Sequence, residues 1–225
     1  SVKWRECMLL IGADADTRKP VAWLPVIREC YDSWMVFLQK LSQKGLEPSY
    51  VVCDGQRGLL KAIREVWPNT KIQRCLIHVV RQSCVWLTQN PKTKAGKELL
   101  VLVKQLPDIQ TKRQKRKWIR IFHYWKRKHE HFLKERTYAP NGHWWYTHRK
   151  LRGTKSLLQN AVPDLFRHIS DHTVPRTSNI VEGGMNARIK ELFRSHRGFS
   201  TTKKLALASW YLTVRQGQKP TRNVY

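Results

Sequence analysis

The chain has 225 residues, with 43 Lys and Arg against 16 Asp and Glu, a formal charge of +27 at neutral pH. A charge of that size exceeds what solubility requires and opposes compaction by self-repulsion, so nucleic acid is the expected partner and a merely solvated basic surface the plain alternative. No apolar run approaches the roughly 18 to 20 residues of a membrane span, and SVKWREC lacks the apolar stretch of a secretory leader, which excludes a membrane partner at this level of reading. Five cysteines, Cys7, Cys30, Cys53, Cys75 and Cys84, are an odd and widely spaced set. They fit reduced thiols in a cytoplasm. The length suits one large domain, or one domain with a sizeable insertion.

From Cys7 to Glu29 two β-rich runs flank the polar turn DADTRKP and predict an antiparallel hairpin. Trp34, Phe37, Leu38 and Leu41 then recur at helical spacing, with Gly45 where a helix would stop. SYVVCDG is a short apolar run that delivers Asp54 at the carboxyl end of a buried strand. GLLKAIREVWP predicts a compact helix closed by proline, and KIQRCLIHVV a second buried strand. Strand, helix and strand make a βαβ unit. Open α/β sheets place ligands beyond the carboxyl ends of their strands, so Asp54 is a candidate for chemistry, while Asp before Gly is also an ordinary turn former.

Between about residues 80 and 175 the chain turns helical, basic and aromatic. In TKRQKRKWIRIFHYWKRKHEHFLKER, Trp118, Ile121, Phe122 and Trp125 fall at i, i+3, i+4 and i+7, which predicts one buried face opposite a Lys/Arg surface suited to phosphate. HWWYTHRKLR and the proline-broken PDLFRHI read as short packed elements between helices. Trp144 and Trp145 read as a buried aromatic pair, with stacking on a flipped base as the alternative. Cys75-x-x-His78 has half of a zinc-site spacing without a second pair, and is read as a packed strand end beside a cleft.

TSNIVEGGMNARIKELFRSHRG reads as a helix, yet Gly183 and Gly184 follow Glu182 directly. Each interior glycine costs roughly 1 kcal/mol relative to alanine. Asn179 and Glu182 have capping-box spacing, so Glu182 as a plain cap is one reading. The other takes Val181, Met185, Ile189 and Leu192 as a buried stripe with Glu182 and Asn186 along its margin, and the glycines as room for a metal site or a DNA strand to come close. One carboxylate on a helix margin and another at a strand end suit Mg²⁺ or Mn²⁺, whose remaining positions go to water and phosphate oxygens. Two such ions, about 4 Å apart, drive in-line displacement at phosphorus. Arg57, Arg74, Asn186, Arg194, His196 and Arg197 are the candidate nucleic-acid contacts around these acids.

VVCDGQRGLLKAIREVWPNTKIQRCLIHVVRQ, together with TSNIVEGGMNARIKELFRSHRG, resembles bacterial insertion-sequence transposases of the Mutator-related group, a likeness running from about Cys7 to Arg215. The resemblance implies a ribonuclease H-like α/β fold, a mixed sheet with a large all-helical insertion, and an Asp-Asp-Glu triad. By it Asp54 is the second catalytic Asp and Glu182 the catalytic Glu, both holding Mg²⁺ or Mn²⁺. Cys75 and His78 match a Cys-x-x-His signature of unknown role, and Asn179 and Asn186 match asparagines around the Glu. Residues 1–79 are then the first part of the catalytic core, 80–175 the insertion, 176–217 the Glu helix and C-terminal helix, and 218–225 a basic tail.

Two departures stand out. Gln82 takes the place of an Asn common among relatives, and the first catalytic Asp is expected upstream, on a first strand that this chain lacks. Asp14 and Asp16 fall in the turn between the second and third strands, at the wrong end for the site. The implied function is metal-dependent cleavage and strand transfer at mobile-element ends. Double-stranded DNA would be the partner, a homo-oligomer the acting form, and the nucleoid of a bacterial cytoplasm the setting. The alternatives are a catalytically inactive DNA-binding fragment and a nuclease of the same fold.

Overall fold

The computed structural model describes residues 2–4 and 7–217 of a mixed α/β protein, built as two compact units. The first comprises Ser1–Val51, Gly55–Lys71 and Ser178–Tyr225, and the second Val52–Asp54 and Ile72–Thr177.

In the first unit β1 (Val2–Trp4), β2 (Cys7–Ala13) and β3 (Pro20–Val26) form an antiparallel sheet in that order. The β2–β3 hairpin is the one the sequence predicts. Asp14 closes its turn, its Oδ1 accepting from the backbone N–H of Asp16 and Thr17 at 3.0 and 2.6 Å. These bonds hold the Asp14 carboxyl below the usual range, that from Thr17 foremost, and define an Asx turn. β1 is a short outer strand that the sequence analysis did not predict. Val2 pairs with Leu9 and Trp4 with Cys7, so β2 is the central strand.

Three consecutive residues of β2, Leu9, Leu10 and Ile11, are buried because the sheet is covered on both faces. Leu9 and Ile11 pack with Met185, Ile189, Phe193, Ala208 and Leu212. Gly12, on the opposite face with Leu10, would place a Cβ 3.4 Å from the ring of Phe37. That ring belongs to α1 (Tyr31–Gln43), which buries Trp34, Phe37, Leu38 and Leu41 as the periodicity predicts and ends before Gly45, at φ +80°. β4 (Tyr50–Cys53) leads to α2 (Arg57–Val66), whose first turn is capped by Gln56 Oε1 accepting from Leu59 N–H at 2.6 Å. β5 (Lys71–Arg74) pairs with β4. Lys71 N–H donates to Ser49 O and Cys75 N–H to Cys53 O, the same offset at both ends, as parallel strands require.

The predicted second strand is corrected: only KIQR is extended, and from Leu76 the chain is helix α3 (Leu76–Leu87). Its buried positions Leu76, Val79, Ser83 and Leu87 repeat at helical spacing. α4 (Lys94–Gln105), α5 (Lys112–Lys128), α6 (Glu130–Lys134) and α7 (Arg149–Leu165) complete the helices of the second unit. Trp118, Phe122 and Trp125 form the buried face of α5 in an aromatic ladder, Phe122 lying nearly parallel to both tryptophans at centroid distances of 5.3 and 6.2 Å. Both indoles are satisfied, donating to Leu102 O at 2.8 Å and Ala95 O at 3.0 Å. Ile121, expected on that face, is 38% exposed.

The second unit is not all helical. β6 (Arg136–Tyr138) and β7 (Trp144–Tyr146) form a small antiparallel hairpin. Trp144 is 39% exposed under the Arg136 guanidinium, 4.0 Å from its ring, and Trp145 is half-buried, which corrects the buried-pair reading. α7 runs on through Pro163, whose exposed ring falls in the last turn. The basic tail, residues 218–225, lies outside the described residues.

The chain returns to the first unit through a π-helical segment, Ile180–Asn186, then α8 (Ala187–Ser195) and α9 (Thr201–Gln216). α9 is fastened to β3 by Trp23 Nε1 donating to Ser209 Oγ at 3.2 Å and by Gln216 Nε2 donating to Val21 O at 3.2 Å.

Candidate functional site

Glu182 stands on the π-helical segment. Asn179 has helical backbone angles and makes no side-chain cap, which rules out the capping-box reading. The wider turn shifts the buried stripe to Met185, Asn186, Ile189 and Phe193, in place of the predicted Val181, Met185, Ile189 and Leu192. Met185 and Ile189 anchor it under β2. Glu182 is half-buried, and its Oε1 accepts from Ser178 Oγ at 2.9 Å. Ser178 Oγ therefore orients the carboxylate from one turn earlier.

The two glycines differ. A Cβ on Gly183 would stand 2.5 Å from Asn179 Oδ1, whereas one on Gly184 would meet nothing within 4 Å. π-turns are frequent at functional sites, where a widened turn re-aims a side chain. At Gly183 the close neighbour is the Asn179 amide.

Asp54 is exposed in the second unit, directly after buried Cys53 at the carboxyl end of β4. Gly55 follows at φ +85°, a left-handed turn that suits glycine. Cys75 N–H donates to Cys53 O at 2.7 Å, so α3 begins at the end of the strand pair that carries Asp54. Cys75, the cap residue of α3, is 1% exposed, and His78 is half-buried in its first turn. Asp54 and the Cys-x-x-His pair thus share one end of a parallel strand pair.

Among the other predicted contacts, Arg57 is exposed at the start of α2, and Arg194, His196 and Arg197 are exposed at the end of α8 and just beyond. The imidazole of His196 stacks on Phe199 at 4.7 Å. Arg74 is corrected as a surface contact: it is 5% exposed, and its Nε is buried without a hydrogen-bond partner. Asn186 is also interior, 4% exposed. Ser178 and the Asn179–Gly183 contact escaped the sequence reading, although the Ser178-x-x-x-Glu182 spacing was there to be seen.

Two carboxylates are hard oxygen donors and fit Mg²⁺ or Mn²⁺ by their chemistry. Among the described residues no group of three or more His, Cys, Asp or Glu gathers into a metal-binding cluster, and no helix is long and apolar enough to cross a membrane.

A strand-borne aspartate, a glutamate on a π-turn and a strongly basic helical unit mark this as a mixed α/β protein with its acids and its cations on different elements. The chain belongs to the Mutator family of transposases, whose family profile matches residues 1–149. It is 41% identical over 75 residues to the transposase for insertion sequence element IS6120 of Mycolicibacterium smegmatis, covering 32% of this chain and 23% of that protein. Similarity to the transposase for IS256 in transposon Tn4001 of Staphylococcus aureus is 28% over 114 residues, 49% of this chain and 28% of that protein. For the transposase of IST2 from Acidithiobacillus ferrooxidans it is 33% over 97 residues, 41% and 32% respectively. The chain therefore spans about a third or less of the length of the curated relatives it matches.

Proposed function

We propose that this chain is the catalytic portion of a DNA transposase with a ribonuclease H-like core, and that Asp54 and Glu182 together hold Mg²⁺ or Mn²⁺ for cleavage and transfer of DNA strands at the ends of a mobile element. Family membership supports the transposase reading. The observation that carries the site assignment is the Ser178–Glu182 hydrogen bond on a π-turn, a carboxylate oriented by its own segment where a plain surface glutamate would be left mobile.

When bound, the metal would activate a water or 3′-hydroxyl and stabilise the leaving oxygen of an in-line displacement. The chain's own residues have simpler tasks. Asp54 and Glu182 supply carboxylate oxygens, Ser178 fixes the direction of one of them, and Arg57, Arg194 and Arg197 neutralise phosphate along the approach. Acids facing DNA in so basic a protein repel the backbone unless a cation bridges them. No covalent protein intermediate is needed.

The test is purified protein with a plasmid carrying the element's terminal sequences in Mg²⁺ or Mn²⁺. The expected products are nicked and joined strands. Glu182→Gln and Asp54→Asn should each abolish them while DNA affinity stays within a few-fold. Activity that survives either substitution rejects the assignment. Cutting without joining would favour a nuclease of the same fold.

A further inference from the structure

α5, α6 and α7 line an open pocket of about 430 Å³ whose walls include Lys126, Arg127, Lys134, Arg152 and Lys155, with Glu130 as the acid of the lining. Glu130 is taken up by Lys134, whose ammonium donates to it at 2.7 Å and holds its carboxyl below the usual range. Lys155 also lies within electrostatic reach of Glu130, so a single carboxylate of the lining faces five cations. The charge continues along α5, which carries nine Lys and Arg and no Asp or Glu over Lys112–Lys128.

Arg152 differs from a mobile surface cation. Its Nη1 donates to Leu133 O at 2.6 Å, and its guanidinium lies 3.4 Å above the Tyr146 ring. One hydrogen bond and one stacking contact set the plane of the group before any ligand arrives, which lowers the ordering cost of binding. Lys126 lies 5.4 Å over the Phe122 ring, and Lys155 is a half-buried member of the same lining. Like charges so gathered repel one another unless an anion enters.

We propose that this pocket is a phosphate-binding site, and that the phosphate it takes belongs to a DNA backbone running along α5. Lys128 is paired with Glu98 at 2.7 Å, but the exposed Lys112, Arg113, Arg116 and Arg120 argue for a polymer, since a free phosphate would use the pocket and leave that part of α5 without an anion. The inference rests on the DNA reading above and adds a site to it on the helical unit.

The experiment measures affinity of the full chain for a labelled duplex of about 30 base pairs across a salt series. Each phosphate contact contributes roughly 0.9 to the slope of log affinity against log salt. The triple variant Lys126→Gln, Arg127→Gln, Lys155→Gln should weaken binding at least 10-fold and flatten the slope by about 2 to 3. An equal charge loss elsewhere, Arg28→Gln, Lys40→Gln, Lys44→Gln, should cost less than about 3-fold. Gln159→Glu, one added acid on the exposed rim, should weaken binding in the same direction without loss of core. Equal losses from the two triples overturn the site. Pyrophosphate binding that the first triple removes, with DNA affinity unchanged, overturns the DNA assignment in favour of a free phosphate ligand. A wild-type chain without DNA affinity sinks the transposase reading itself, an outcome distinct from the other two.

Discussion

The side-chain oxygen of Asn179 occupies the space beside Gly183, 2.5 Å from where a Cβ would stand. A contact that short forces something to move, and Asn179 is exposed, so its amide rotates while the backbone stays. Gly183→Ala should therefore change stability by less than about 1 kcal/mol yet displace Asn179. Under the proposed function, metal-dependent strand cleavage should fall, and Asn179→Ala should reproduce the loss. Gly184→Ala meets no neighbour and should keep activity with equal or slightly higher thermal stability. A Gly183→Ala protein of full activity would show that the Asn179 position is immaterial.

Gly58 supplies the opposite case. A Cβ there would lie 2.7 Å from the backbone nitrogen of Tyr31, at the start of α1. Backbone cannot swing aside as an exposed amide does, so α1 and α2 must separate. Gly58→Ala should cost about 1–3 kcal/mol, and thermal denaturation should show a midpoint roughly 2–12 °C lower. An unchanged midpoint would mean that the helix pair is looser than its geometry.

Ser178→Ala removes the donor to Glu182 Oε1. Hydrogen bonds to charged groups contribute about 1.5–3 kcal/mol, so strand cleavage should fall roughly 10- to 160-fold if the whole of that contribution is spent on orienting the carboxylate. The metal concentration for half-maximal activity should rise with it, and Ser178→Thr should restore part of both. A rate that drops with no change in metal dependence would assign Ser178 a role in packing alone.

His168 should give the fold a pH limit. It is 6% exposed, its backbone N–H donates to Gln73 Oε1 at 3.2 Å, and Gln73 Nε2 donates in turn to Leu165 O at 2.8 Å, tying β5 to α7. Burial first, then the positive charge of Arg176, holds its pKa below the ordinary 6.5. The folded state thus favours neutral imidazole, and the unfolded chain takes up its proton first. Its contribution is complete above pH 6.5 and is lost as pH falls from there through the depressed value. Denaturant melts at pH 7.5 and 5.5 should show a larger loss for the wild type than for His168→Gln. Equal losses would place the sensitivity in other histidines.

The hairpin, α1, α2 and the α5 face were readable because each depends on local periodicity: an apolar stripe needs only its own repeat to be recognised. The α3 error has the same root. CLIHVV is apolar at every position but His78, and a short continuous run has no period by which to tell strand from helix. Its sign lay further on, at Ser83 and Leu87. Val2–Trp4 was missed because three residues carry almost no pattern, and their place is set by pairing with β2. Around Glu182 the residue types were informative and the conformation was not, since the i→i+5 bonds of a π-turn leave no mark in residue type, while Met185 is buried against the sheet in either case. Arg74 was misjudged because charge alone does not reveal burial.

At the neck of the helical unit, Leu76 N–H donates to Arg176 O at 3.1 Å. Everything between those two residues departs and returns through a gap one peptide group wide. A module so closed can be lengthened, shortened or exchanged for a tight connector without rethreading what lies outside it. Two chains can then differ in this arm alone, with the order of strands and helices outside it unchanged.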